Sequence, residues 1–396
     1  MSLGKTRILV SAGELSGDQH LAKLIAAIRE ISPLVEFRGM AGDLSAAAGA
    51  TLDLNCYRDG AGMGFFELFR SGARVIRSFR VLSEILSSWR PDLLILVDYP
   101  DFNLRLAKVA KRLGIKVIYY IPPKIWAWRK GRVRKIRRYV DRVIGIFPFE
   151  GEFYRRNGYS AFTYLGHPLG DLAASLQAPS AAERSNSVLF LPGSRRFEVE
   201  RLLVPMLKAY QCLRERISDL RAVVVLAPSI DPDWVKGVIG DRVPLELINS
   251  IEWSRGDAVE QMLRARVGVL KSGTCNLEGA IAGLPFVCVY SGTLFAKIVI
   301  AALVALKEYS PVNIIRSNTV KELMRTYLSP QDVVAELEPL LINREDSWNL
   351  MSKNLATVRR MLCEPSVDLL SDSRLEGWER LSVSQRVARC ILGELG

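Results

Sequence analysis

The chain has 396 residues, 49% of them apolar and 24% charged, which supplies sizeable cores and rules out general disorder. Its 54 Lys and Arg against 42 Asp and Glu leave a net charge of +12. That favours anionic partners (phosphorylated metabolites, nucleic acid or an anionic lipid surface) without choosing among them. Cysteines at 56, 212, 275, 288, 363 and 390 form no Cys-x-x-Cys pair and only two histidines occur, so the pattern argues for reduced thiols and against a disulfide framework, a zinc cluster or a multi-histidine metal site.

The N-terminal residues lack a secretory apolar core and lead into Ile8-Leu9-Val10-Ser11-Ala12, read as a buried strand. A glycine-containing turn and a helix from about Asp18 to Ile31 follow. Strands are predicted at Asp92–Val97, Ile115–Tyr120, Arg142–Phe147 and Phe162–Leu165, with helices between several of them. Ala173–Asn186 reads as a connection, after which the pattern restarts. Val188–Leu191 is a strand, Pro192-Gly193-Ser194 a turn and Glu198–Arg216 a helix, with further strands at Ala222–Leu226, Val267–Leu270 and Phe286–Tyr290. Leu284–Leu306 comes nearest to a membrane span, but Pro285, Ser291, Gly292 and Lys297 break it into strand, turn and buried helix. Continuous apolar strands alternating with helices imply parallel sheets covered on both faces. The fold class is therefore α/β, with two Rossmann-like domains, 1–172 and 187–364, expected to face each other across a cleft. Residues 365–396 are expected to form a helical segment packing back on the first domain.

Five segments could carry chemistry. Ser11 to Asp18 forms a strand-to-helix turn whose Gly13 and Gly17 would let a ligand approach the backbone, although a plain turn with Asp18 at the helix start also fits. Asp98 follows an apolar strand, where ligands bind in open α/β sheets, while Asp101 and Asn103 suit helix capping. Lys124 to Arg138 mixes dense cations with Trp126 and Trp128, which suits base stacking and phosphates or a membrane interface. Gly193-Ser194-Arg195 resembles a diphosphate cradle, and Ser272-Gly273-Thr274 a second phosphate turn, with Glu278 placed to hold ribose hydroxyls. No Gly-x-Ser-x-Gly elbow supports a nucleophilic triad.

Taken in register from about residue 7 to 340, these residues resemble the lipid-A-disaccharide synthase family. The resemblance rests on Ala12-Gly13-Glu14 with Ser16-Gly17-Asp18 and His20; Met63-Gly64-Phe65 with Glu67; Asp98 with Pro100-Asp101-Phe102-Asn103; and Tyr119-Tyr120 with Trp126-Ala127-Trp128-Arg129. It continues through Phe149-Glu150 with Phe153-Tyr154, Gly166-His167-Pro168-Leu169, Leu191 to Arg195 with Glu198, and Ser272-Gly273-Thr274 with Leu277-Glu278.

The resemblance implies the GT-B architecture and an inverting transfer from UDP-2,3-diacylglucosamine to 2,3-diacylglucosamine 1-phosphate, giving a β-1′,6-linked disaccharide and UDP. It implies no cofactor and no metal, no nucleic-acid partner, and peripheral work at the inner face of a bacterial inner membrane; a homodimer is compatible with it. Asp98 is expected to be the general base, with Glu14 and Asp18 the competing carboxylates. Gly13, Ser16, Gly17, His20, Met63, Asn103, Trp126 and Arg129 are expected on the substrate side. Gly193, Ser194, Arg195, Ser272, Gly273, Thr274, Glu278 and Asn313 are expected at the donor, with Arg195 and the N–H groups after Gly193 and Gly273 offsetting diphosphate charge. Pro122, Lys124, Lys271, Cys275-Asn276, Arg316-Ser317-Asn318, Arg325 and Met40-Ala41-Gly42-Asp43 depart from the family pattern. The alternatives are a diverged GT-B enzyme with another UDP-sugar or lipid acceptor, and a basic nucleic-acid-binding protein without a recognised motif.

Overall fold

The computed structural model describes residues 6–57, 72–127, 129–291, 308–342, 344–365 and 377–395. The chain divides into two compact units, Met1–Asp171 with Cys363–Gly396, and Leu172–Leu362.

The first unit is built on seven strands: β1 (Arg7–Ala12), β2 (Glu36–Ala41), β3 (Thr51–Asn55), β4 (Leu93–Val97), β5 (Lys116–Tyr120), β6 (Arg142–Gly145) and β7 (Phe162–Tyr164). All pair parallel in the order β3-β2-β1-β4-β5-β6-β7. β4 is apolar at every position because both its faces are covered. Leu93, Ile95 and Val97 pack with Leu21, Leu24, Ile25 and Ile28 of the helix Leu15–Ile31, while Leu94 and Leu96 pack with Leu82, Leu86 and Leu106 of helices on the opposite face. Each such fully buried aliphatic side chain contributes roughly 1.5–3 kcal/mol.

The helix Val383–Gly393 joins this unit, as the sequence suggested, burying Val383, Val387, Ala388 and Ile391 against the helix Leu15–Ile31. Asp171 accepts from the N–H groups of Val383 and Ser384 at its start, and Lys116 and Arg142 pair with Glu394 at its end.

The second unit carries β8 (Ser185–Leu191), β9 (Arg221–Leu226), β10 (Ile251–Arg255), β11 (Ala265–Lys271), β12 (Phe286–Ser291) and β13 (Lys321–Arg325), all parallel in the order β10-β9-β8-β11-β12-β13. One core cluster joins its strands to the helices Arg196–Arg216 and Pro330–Ile342. Arg184, buried, ties the beginning of the unit together by donating to the carbonyls of Met262, Ala265, Ala282 and Gly283.

In both sheets the strand order reverses beside the first strand, between β1 and β4 and between β8 and β11. These are the switch points at which open α/β sheets bind ligands beyond the strands' carboxyl ends. The first helix begins at Leu15, earlier than its sequence pattern indicates, with Glu14 as its N-cap residue. The expected strand within Leu284–Leu306 is β12; residues 292–307 lie outside the described residues. Among the described residues no helix is long and apolar enough to cross a membrane.

Candidate active site

β1 and β4 run side by side with Ala12 opposite Val97, so Gly13-Glu14 and Asp98 leave the sheet together. Asp98 and Tyr99 both adopt left-handed backbone, φ 46° and 48°. A non-glycine residue there costs about 1–3 kcal/mol and persists only where its surroundings over-determine it. Here they do. The Asp98 N–H donates to Ile121 O (3.2 Å), and its carbonyl accepts from Asn103 Nδ2 (2.7 Å) and from the Tyr119 hydroxyl (2.7 Å). Asn103, fully buried, also donates to Ser11 O and Val97 O and accepts from the Ser11 hydroxyl, so it laces β1 to β4. A Cβ at Gly13 would lie 2.4 Å from the Tyr99 ring, which makes glycine obligatory in that turn.

Burial raises the Asp98 carboxyl above its ordinary value, against the opposing influence of the Tyr99 N–H and the Lys124 charge. Glu14 is raised by burial and then by the charge of Asp98. Two carboxyls that feel one another and hold protons more tightly than usual fit general-base chemistry.

Asp18 has a different job. Its fully buried carboxylate accepts from the N–H groups of Gly42, Leu44 and Ser45 and from the Tyr57 hydroxyl. Burial alone would raise it, but the hydrogen bonds to Ser45, Tyr57 and Gly42 hold it below its usual value. An acceptor committed to four donors holds the helix Asp43–Ala47 in place and is no longer a competing base.

His20 and His167 are both pushed down, to about 4 and about 3, chiefly by burial, so both are neutral near pH 7. His167 Nδ1 accepts from the Leu169 N–H, whereas His20 Nδ1 is buried without a partner. Gly17 is where a Cβ would already touch Ala12 and Val97, and Ser16 is exposed.

The aromatic and basic segment also departs from expectation. Trp126 is buried and donates its indole N–H to Glu150 (3.0 Å), whose other oxygen accepts from Ile146 N and Phe147 N. Arg132 is buried against Asp101 (2.7 Å), which Arg129 also contacts at 3.3 Å. Trp126 and Arg132 are therefore packing residues rather than a membrane surface, because both are buried and each is tied to a carboxylate of the protein, Glu150 and Asp101. Met63 and Trp128 lie outside the described residues.

In the second unit Leu191 lies opposite Leu270, which brings Gly193-Ser194 and Lys271-Ser272 together. A cavity of about 310 Å³ opens there, lined among others by Gly193, Ser194, Lys271, Ser272, Gly273, Thr274 and Glu278, with Val225 to Pro228 as its far wall. Glu198 is buried beside it and pairs with Lys271 Nζ at 2.8 Å. Burial would raise Glu198, but the Lys271 hydrogen bond and charge, with the Ser194 N–H, hold it below its ordinary value. Burial raises Glu278, which lines the cavity. A second cavity of about 750 Å³, walled by Val235, Ile239, Ile248 and Trp253, shares only Leu226 with the first.

The sequence profile described as lipid-A-disaccharide synthetase matches residues 8–364. The chain belongs to the lipid-A-disaccharide synthetase family. A lipid-A-disaccharide synthase of Trichlorobacter lovleyi is 37% identical over 356 residues, covering 87% of this chain and 91% of the relative. That of Myxococcus xanthus is 37% identical over 370 residues, covering 90% and 94%. Among solved structures, UDP-GlcNAc 2-epimerase from Neisseria meningitidis bound to UDP-GlcNAc aligns with TM-score 0.63 at 12% identity over 98% of this chain and 100% of that one. The calicheamicin glycosyltransferase CalG4 aligns with TM-score 0.58 at 15% identity over 99% of each chain. At such identities the likeness is one of fold, the GT-B class. The protein is a glycosyltransferase.

Several of the residues that this lipid-A-disaccharide synthetase family pattern places at the donor do structural work here. Asn313 is buried, donating to Val320 O and Glu322 and accepting from Thr319 N and Val320 N, so its whole hydrogen-bonding capacity goes into the turn before β13. The expectation that backbone N–H groups after Gly193 meet the diphosphate is corrected. Ser194 N and Arg195 N both donate to Glu198, a carboxylate in the first turn of the following helix. The N–H of Gly273 itself donates to Asn276 Oδ1. Arg195 itself is exposed and contacts Glu198 at 3.3 Å. Arg325 pairs with Asp332 on the exposed surface. Lining residues Val225 to Pro228, Gly256 and Ala258 carry no motif, and only the strand that ends at Leu226 gave a signal. Among the described residues no group of three His, Cys, Asp or Glu side chains is arranged to hold a metal ion.

Proposed function

We propose that the protein joins UDP-2,3-diacylglucosamine to 2,3-diacylglucosamine 1-phosphate, forming the β-1′,6-linked disaccharide 1-phosphate and UDP. Asp98 takes the proton from the acceptor 6-hydroxyl as its oxygen attacks the anomeric carbon. The bond from that carbon to the diphosphate oxygen breaks, UDP leaves with the electron pair, and the anomeric centre inverts. The transition state carries oxocarbenium character, as in glycoside hydrolysis. The observation supporting this most is Asp98 itself, with its backbone fixed at a switch point by three hydrogen bonds and its carboxyl raised by burial. UDP occupies the cavity of the second unit, where Glu278 meets the ribose and the Lys271 ammonium offsets charge on the diphosphate.

Docking on the inner face of the bacterial inner membrane brings the enzyme to its acylated substrates. It uses the exposed Arg134, Lys135, Arg137 and Arg138 of the helix Val133–Tyr139, each contributing about 1 kcal/mol near an anionic surface.

The direct test is purified protein with both diacylglucosamine substrates, analysed for disaccharide and UDP. Formation of both in equal amounts supports the reading. UDP without disaccharide, or transfer only from another sugar nucleotide, overturns it. For the membrane surface, neutralising the four cations together is expected to release the protein from anionic vesicles, and unchanged binding contradicts that assignment.

A further inference from the structure

Lys124, a departure from the family pattern, has no part in the chemistry above. Its place follows from the backbone. The Asp98 N–H donates to Ile121 O (3.2 Å) and the Ile121 N–H to Ile144 O (3.1 Å), so the segments leaving β4, β5 and β6 lie side by side. On the middle one, Ile121, Pro122 and Pro123 are buried, Ile125 is fully buried, and Trp126 is tied to Glu150. Lys124 stands between these anchors and is exposed. Short backbone bonds brace it on both sides, Ile125 N to Pro123 O (2.7 Å) and Ala127 N to Lys124 O (3.0 Å). Its ammonium lies 5.8 Å from the centre of the Phe147 ring on the next segment, and its charge reaches Asp98, Glu150 and His167.

No described carboxylate takes up that charge as an ion pair, whereas Arg129 and Arg132 both contact Asp101. A lone ammonium on a flexible stem is a point-charge binder of phosphate, and two prolines just before it lower the cost of holding its backbone still.

We propose that Lys124 binds the phosphate monoester of the acceptor sugar and so sets that sugar's hydroxyl against Asp98. The inference rests on the acceptor named above, in which the phosphate and the reacting hydroxyl belong to one sugar. A cation one segment along from the base is then suited to the anionic end of the same molecule.

The experiment compares wild type, Lys124→Gln and Lys124→Arg with two acceptors, 2,3-diacylglucosamine 1-phosphate and its dephosphorylated counterpart. Lys124→Gln is expected to raise KM for the phosphorylated acceptor at least ten-fold. KM for the dephosphorylated acceptor and for the UDP-sugar should stay within two-fold, and Lys124→Arg should recover most of the loss. Equal changes with both acceptors, accompanied by an upward shift of the acidic limb of the pH profile, would mean that Lys124 serves only to tune Asp98, and would overturn the inference. So would unchanged kinetics with either acceptor. If wild type converts neither acceptor, the assignment of function falls and this inference falls with it, an outcome visible before any variant is compared.

Discussion

At the carboxyl ends of β1 and β4, Glu14 and Asp98 hold their protons more tightly than usual, Glu14 through burial and the charge of Asp98, and Asp98 because its burial is only partly offset. At the matching ends of β8 and β11, Glu198 is also enclosed but held below its ordinary value, chiefly because Lys271 reaches it at 2.8 Å. The two switch points share one topology, yet the direct Lys271 pair, helped by the Ser194 N–H, divides their chemistry. A carboxyl without a close cation can accept a proton during reaction. One paired with a cation keeps its charge and shapes a turn, here by taking the N–H groups of Ser194 and Arg195. On the proposed reading, the first point serves proton transfer, and the second anion binding with its own carboxylate already compensated.

The sharpest way to break this comparison is to remove the base. Asp98→Asn is expected to lower kcat by roughly 10²–10⁴-fold, the range for losing a general base. If Asp98→Asn keeps near-normal turnover while Glu14→Gln loses it, the roles of the two carboxylates are exchanged. In wild type the acidic limb of kcat/KM should lie above the ordinary aspartate value of 3.8, since the base works only when ionised and its carboxyl is raised. A limb at or below that value contradicts the burial argument.

At the second switch point, Lys271→Met strands a buried carboxylate and is expected to cost about 1–3 kcal/mol in denaturant unfolding. The pH dependence gives a further check. A lowered Glu198 contributes stability above its unfolded value near 4.5 and loses it as pH falls through the lower folded value. Wild type should therefore lose more stability than Lys271→Met on acidification across that window. Equal losses would show that the pair is not coupled.

Glu150→Gln should cost a similar 1–3 kcal/mol, because both its oxygens face N–H donors and an amide NH₂ must oppose one of them. Unchanged stability would mean that the carboxyl does not brace Trp126. Arg325→Gln, on the exposed rim with Asp332, should stay within about 0.5 kcal/mol and leave UDP affinity unchanged; a weaker UDP complex would return it to the donor site.

The parts of the molecule legible in the sequence are those whose signal is local. Leu93–Val97 reads as a strand because every position is apolar, and Asp98 stands out because it follows directly. β2 was not legible because Arg38-Gly39 interrupts it beside a register shift. β3, β10 and β13 are sheet edges with polar residues such as Glu252, Arg255, Lys321 and Glu322. The site was half legible for the same reason. The Lys271–Glu198 pair needs β8 and β11 to be neighbours, which no spacing along the chain reveals. Asp18 looked like a free carboxylate because Gly42, Ser45 and Tyr57, its donors, lie well downstream. Trp126 looked like a surface aromatic until Glu150 arrived from the start of the helix after the next strand.

Calorimetric titration of UDP into wild type, Asp98→Asn and Lys271→Met tests the division of labour most directly. The account predicts that Asp98→Asn binds UDP within about two-fold of wild type, whereas Lys271→Met binds it at least ten-fold more weakly, the loss of roughly one charge-assisted hydrogen bond. UDP affinity that falls in Asp98→Asn and holds in Lys271→Met would contradict it.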